Sequence, residues 1–157
     1  MSLYQWLLGL HVSAAFLLVA GSVVAVIFRV LAQRREKPSE IALFLGLTRV
    51  AVALISVGVI AALVFGLWLV HEAHYSWGGA WIWLSLLLWI VLNAAGGAGG
   101  RRERETRELA ERLAAEGDAP STELRARLDD RVALTLNLVS GLAVLAILAL
   151  MIWKPGS

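Results

Sequence analysis

Four long apolar stretches separated by polar ones dominate the chain, running from about Leu3 to Phe28, Leu45 to Val70, Ala80 to Ala95 and Val132 to Trp153. A bilayer's hydrocarbon is about 30 Å thick, and a helix rising 1.5 Å per residue needs about 20 mostly apolar residues to cross it. Each stretch is therefore predicted to span a membrane. The expected fold is all-α, a single-domain antiparallel four-helix membrane bundle over residues 1–157. The first stretch is too long for a signal peptide's apolar core and lacks a basic region before it, so it is expected to stay in the mature protein.

The longest polar piece, Arg101 to Asp130, joins the third and fourth stretches. Glu103/Arg107, Arg107/Glu111 and Glu108/Arg112 each stand four apart, as do Leu109 and Leu113, which predicts a charged helix with a narrow apolar stripe. Gly117, Pro120 and Ser121 break that helix, and further turns through Leu124 and Leu128 lead into the last span. A helical hairpin results. Ahead of it, the run AAGGAGG, Ala94 to Gly100, is expected to end the third helix, because glycine suits C-terminal capping.

The charges add an orientation. Thirteen of the fourteen basic residues follow the first span, lie early in the second or join the third to the fourth, with Lys154 the exception. By the positive-inside rule the charged loops face the cytoplasm, and both termini and the loop HEAHYSWGGA face outward. Trp6, Trp68, Trp77, Trp81, Trp83 and Trp153 then fall near the outer ends of spans, where indole rings anchor at the interface, and Trp89 lies deeper.

Composition narrows the function classes. Hydrophobic residues make up 59% of the chain and the net charge is only +2, so a lipid bilayer is the expected partner and nucleic acid is not. From Arg101 to Arg131 eight basic residues face nine acidic ones, which excludes a polybasic lipid-binding patch. Cysteine is absent, removing disulfides, thiolate catalysis, iron–sulfur clusters and cysteine-based zinc sites. No Asp or Glu lies in the core of a span, which argues against a proton relay or cation transporter built on a buried carboxylate.

The candidate chemistry rests on a few polar side chains. His11 lies five residues beyond Trp6, roughly 7 Å below the interface, and is expected to point into the bundle. His71 and His74 share a helical face if the second helix continues through Tyr75, and Met151 reaches the same outer layer. His11, His71, His74 and Met151 are thus candidate cofactor ligands, and the three histidines candidate metal ligands. A second account has His11 hydrogen-bonding Ser13 or a main-chain carbonyl. HEAH is H-x-x-H and lacks the spacing of a zinc protease. Arg29 is expected to snorkel to the interface, and Arg49 either to snorkel or to join Asn93, Thr135, Asn137 and Ser140. Gly58, Gly66 and Gly141 are expected to let helices approach closely.

LHVSAAFLLVAG, Leu10 to Gly21, resembles the first span of small bacterial membrane proteins. These include the copper-resistance D type, an uncharacterised four-span group of predicted integral membrane proteins, and the haem-binding membrane protoporphyrinogen oxidase. In them a Leu-His pair opens the helix and a glycine follows ten positions after the histidine, here Leu10, His11 and Gly21. FGLWLV, Phe65 to Val70, is similar to the end of the second span in the four-span group. The resemblance implies a haem or metal role for His11. The leading expectation is a membrane-embedded protein binding b-type haem in the outer half of the bundle and passing electrons. The alternatives are an accessory or assembly subunit of a larger membrane complex, without a cofactor, and copper or zinc handling at the outer face.

Overall fold

A computed structural model describes residues 2–154, and the described residues form five helices: α1 (Leu3–Gln33), α2 (Pro38–Glu72), α3 (Ala80–Ala115), α4 (Thr122–Leu128) and α5 (Arg131–Trp153). Four stretches are long and apolar enough to cross a membrane, the last being α5 with α4 ahead of it. The all-α four-helix bundle is as expected. α1 packs along α2, α3 along α5, and α2 against α3, whereas α1 and α5 face each other mainly through side chains.

The helices outrun the apolar stretches. α1, α2 and α3 hold 31, 35 and 36 residues, which makes them roughly 45–55 Å long, well beyond the hydrocarbon of a bilayer. The excess lies at the arginine-rich end and builds a core of its own from Ala32, Ile41, Leu45, Leu109, Ala110, Leu124 and Leu128. Ile41 and Leu45 precede Arg49 because they bury themselves here, not in lipid. α2 begins at Pro38, whose missing amide hydrogen is no loss at a helix start.

Two guanidinium groups bind this end together. Arg125 donates to the carbonyls of Gln33 and Arg35 at 2.6 and 2.9 Å, satisfying acceptors that the end of α1 leaves open. Arg29 does not snorkel: it is buried, donates to the Leu128 carbonyl at 3.4 Å and lies 3.7 Å from Glu103. Glu103 therefore turns away from Arg107, and the ion pairs along α3 are Arg104–Glu108 at 2.8 Å and Arg107–Glu111 at 3.3 Å. Arg49 is exposed. Asn93 and Thr135 donate to the carbonyls of Trp89 and Arg131 in their own helices, so no cluster gathers around Arg49.

AAGGAGG does not end a helix. α3 runs through it without a break, and Gly99 makes room for α5: a Cβ there would stand 2.8 Å from the Asn137 side-chain oxygen, whereas Gly97 and Gly100 have nothing within 4 Å. The stop falls later, where Gly117 adopts φ 125° and Ser121 caps α4.

The tightest contact joins α1 to α2. A Cβ on Gly58 would lie 2.7 Å from the main-chain nitrogen of Leu18 and 2.8 Å from the Ala14 carbonyl oxygen, and one on Gly21 would lie 3.0 Å from the Ala51 carbonyl oxygen. Along α1, Leu7, His11, Ala14, Leu18 and Gly21 are buried at alternating spacings of four and three, the period of a coiled-coil seam. Of the glycines expected at close approaches, Gly141 has nothing within 4 Å.

Gly58→Ala should weaken the α1–α2 pair by about 1–3 kcal/mol, the usual penalty of overpacking, because main-chain atoms block the new methyl. Gly141→Ala should lose no stability. Thermal unfolding of both variants in detergent checks the contrast. At the arginine-rich end, Asp118 accepts from the Ser39 hydroxyl at 2.6 Å and amide at 2.7 Å, and these bonds hold its carboxyl below the ordinary carboxylate value. A depressed carboxylate stabilises the fold at pH above its unfolded value of about 4, and that support is lost as pH falls through the lower folded value. Amide exchange in the first turn of α2 should accelerate in this acidic window, and Ser39→Ala should shift the onset to higher pH.

Candidate functional site

Because His11 lies on the α1 seam, its ring enters the space between α1, α2 and α5, and the residue is only 9% exposed. Gly66 of α2 makes room for it: a Cβ there would stand 3.0 Å from the imidazole Cε1. Nδ1 lies 2.9 Å from the Ala62 carbonyl oxygen of α2. A carbonyl only accepts, so Nδ1 carries the proton and donates across the helix pair. Nε2 lies 3.2 Å from the Met151 sulfur of α5. The expected main-chain hydrogen bond thus exists, and it uses one nitrogen while the other faces a thioether.

His11 and Met151 lie on the wall of a cavity of about 370 Å³, a size within the range of sites that take small molecules and cofactors. Its lining is apolar apart from a few groups, among them Ser85, Trp89, Tyr4, Tyr75 and Lys154. Trp89 donates from its indole nitrogen to the Val59 carbonyl at 3.3 Å, and Ser85 from its hydroxyl to the Trp81 carbonyl at 2.7 Å. Both donors thereby have their hydrogens taken up by main-chain carbonyls. Trp81 is buried, not spread at the interface, and meets the Tyr75 ring edge-on at 5.7 Å. Trp6, Trp68, Trp77, Trp83 and Trp153 are exposed, as interfacial rings are.

His71 and His74 do not line this cavity. α2 ends at Glu72 and does not continue through Tyr75, so the two share no helical face. The Tyr75 amide bonds back to the Val70 carbonyl at 3.1 Å and the His74 amide to the His71 carbonyl at 3.2 Å, a helix stop with His74 in the left-handed position at φ 55°. The His74 ring donates to the Glu72 carbonyl at 2.9 Å, and both histidines are exposed. Among the described residues no three His, Asp or Glu side chains gather in metal-binding reach.

The sequence reading passed over the rim. Lys154 donates to the Tyr75 hydroxyl at 2.6 Å and sits 4.5 Å from the centre of that ring. The signal was available, since Lys154 is the basic residue that stands apart from the rest.

Four apolar helices around a mostly apolar cavity define an integral membrane protein. The chain belongs to the family described as Predicted integral membrane protein (DUF2269), which it matches over residues 5–155. No curated protein and no solved structure matches it.

Proposed function

We propose that the protein binds b-type haem in the cavity between its helices, that His11 would hold its iron, and that the bound group would supply one-electron transfer. The observation that carries this reading is His11, whose Nε2 faces the Met151 sulfur on the wall of an apolar cavity. With the proton on Nδ1, Nε2 of a neutral imidazole is a bare lone pair, and a thioether has lone pairs and no hydrogen to offer. Two acceptors therefore face each other. A charged imidazolium would restore a donor, but a cation costs about 2.5–3.5 kcal/mol or more in hydrocarbon, and among the described residues no carboxylate lines the cavity to offset it. A metal ion satisfies both lone pairs at once.

The donor set suits iron in haem, where His and Met are both axial ligands. The bond from Nδ1 to a main-chain carbonyl is the support that metal-ligating histidines ordinarily have, since it fixes the ring and aims Nε2. His11 would hold the iron, Met151 would face it from α5, and the apolar walls would exclude water from the macrocycle. The bound group would supply one-electron exchange. We also place the cavity toward the outer face of a bacterial inner membrane, with the arginine-rich end in the cytoplasm, on the strength of the basic residues.

The separation favours a second reading, copper(I). Donors about 2.0–2.3 Å from one ion lie about 3.0–3.5 Å apart when they bind side by side, at angles from about 90° to the tetrahedral value, and about 4.3 Å apart on opposite faces. The observed spacing matches the first arrangement. Imidazole and thioether suit a soft ion, which places copper(I) ahead of zinc. Ligation by Met151 opposite His11 on a haem would instead need the pair to open by about 1 Å.

The absorption spectrum and metal content of the detergent-purified protein test this. The haem reading predicts a Soret band with stoichiometric iron, lost in His11→Ala and shifted in Met151→Leu. Copper without a Soret band would replace it by the second reading, and a colourless, metal-free protein that takes up neither would overturn both.

A further inference from the structure

The side chains around the cavity are unevenly covered. Every lining residue on α2 and α3 is buried or half-buried, whereas the exposed ones, among the described residues, are Tyr4, Leu8 and Val12 of α1 and Ile152 of α5. The cavity therefore opens on one side, between α1 and α5. The packing agrees, because α1 lies close along α2, α5 along α3 and α2 against α3, while α1 and α5 scarcely approach each other. Leu18 and Val144 join a buried cluster that closes the opening toward the arginine-rich end, and Val70, Trp81 and Ile82 close the opposite end between α2 and α3.

Tyr4, Leu8 and Val12 stand four apart and so form one edge along α1, about 12 Å long. Tyr4 lies near the exposed ring of Trp6 at the interface, and the edge runs from there into the membrane. Below Tyr4 it is apolar, as is Ile152 on the other side. A slit edged by leucine, valine and isoleucine at that depth faces lipid chains, not water. Across it stand His11 Nε2 and Met151 Sδ, 3.2 Å apart. With the proton on Nδ1 both are acceptors, so no bond between them has to break when α1 and α5 part.

We propose that the cavity takes its ligand sideways from the bilayer, through the slit between α1 and α5 that Leu8, Val12 and Ile152 edge. The inference rests on the haem reading and adds the route. The macrocycle slides edge-on out of the lipid while its carboxylates stay at headgroup level beside Tyr4. No charged group then has to enter the hydrocarbon, where it would be costly.

Val12 suits a test because it is exposed, lies off the buried seam of α1, and belongs to a chain without cysteine. Val12→Cys is coupled in detergent to a bulky pyrene maleimide. The control is Val64→Cys, labelled likewise, at an exposed position of α2 that does not line the cavity. The ligand-free full chain is placed in nanodiscs and mixed with iron protoporphyrin IX, and the rise of the Soret band times uptake. Capture by excess haem-free globin times release. The label at Val12 should slow uptake and release alike, each at least about tenfold, or about 1.4 kcal/mol on the barrier. The equilibrium affinity should be unchanged, and the label at Val64 should alter neither rate. Uptake by labelled Val12→Cys at the unlabelled rate overturns the inference and leaves the haem reading standing, since the ligand then enters elsewhere. A weaker affinity with unchanged uptake also overturns it, because Val12 then belongs only to the wall. If the unlabelled protein gives no His11-dependent Soret band, both readings fall.

Discussion

Where Gly58 meets the main chain of α1 at Ala14 and Leu18, no side chain separates the two helices, and the rotation of α1 about its own axis is set. Lipid chains are as apolar as leucine, so helices in a bilayer associate through close packing and polar contacts, not through hydrophobic exclusion. A glycine opposing main-chain atoms supplies the first of these. The imidazole of His11 supplies the second, because the seam that carries Ala14, Leu18 and Gly21 carries His11 as well. One helix contact therefore decides where the buried histidine points. It also brings Gly66 opposite the ring and the Ala62 carbonyl within reach of Nδ1.

That placement has a chemical consequence. A ring whose Nδ1 donates to a carbonyl presents a lone pair at Nε2, and in this protein that lone pair faces a thioether sulfur at 3.2 Å, which has no hydrogen to offer. The cavity beside the pair lies between helices that pack strongly in two hairpins, α1 with α2 and α3 with α5, and less closely across. Gly58 packs against the main chain of α1 at Leu18, and Leu18 and Val59 line the cavity. The separate core at the arginine-rich end, tied by Arg29 and Arg125, anchors the helices without filling the space near His11.

The four spans, the hairpin at Arg101–Asp130 and the inward aim of His11 were legible in the sequence, because each rests on a pattern that the bilayer enforces. Helix lengths were not. Hydropathy marks where lipid begins, and α3 continues past that point through Gly96 to Gly100, since a neighbouring helix rewards glycine there as well as a helix end would. Ile41 and Leu45 were hard to place for the same reason, their partners Leu109, Leu124 and Leu128 being distant in sequence. The grouping of His71 and His74 with His11 depended on one more turn of α2, and a non-glycine residue in the left-handed position is not visible from composition. Trp81 reads as an interfacial ring until Tyr75, on the preceding loop, is seen to meet it edge-on.

The account depends most on the proton that His11 keeps on Nδ1, which leaves Nε2 bare toward Met151. Nitrogen-15 NMR of the ligand-free protein, labelled at histidine and assigned with His11→Ala, reads both ring nitrogens directly. A protonated Nδ1 and an unprotonated Nε2 at neutral pH are predicted. A proton on Nε2, whether in the other tautomer or in an imidazolium, would contradict the account, since the thioether would then accept an ordinary hydrogen bond and leave no lone pair for a metal.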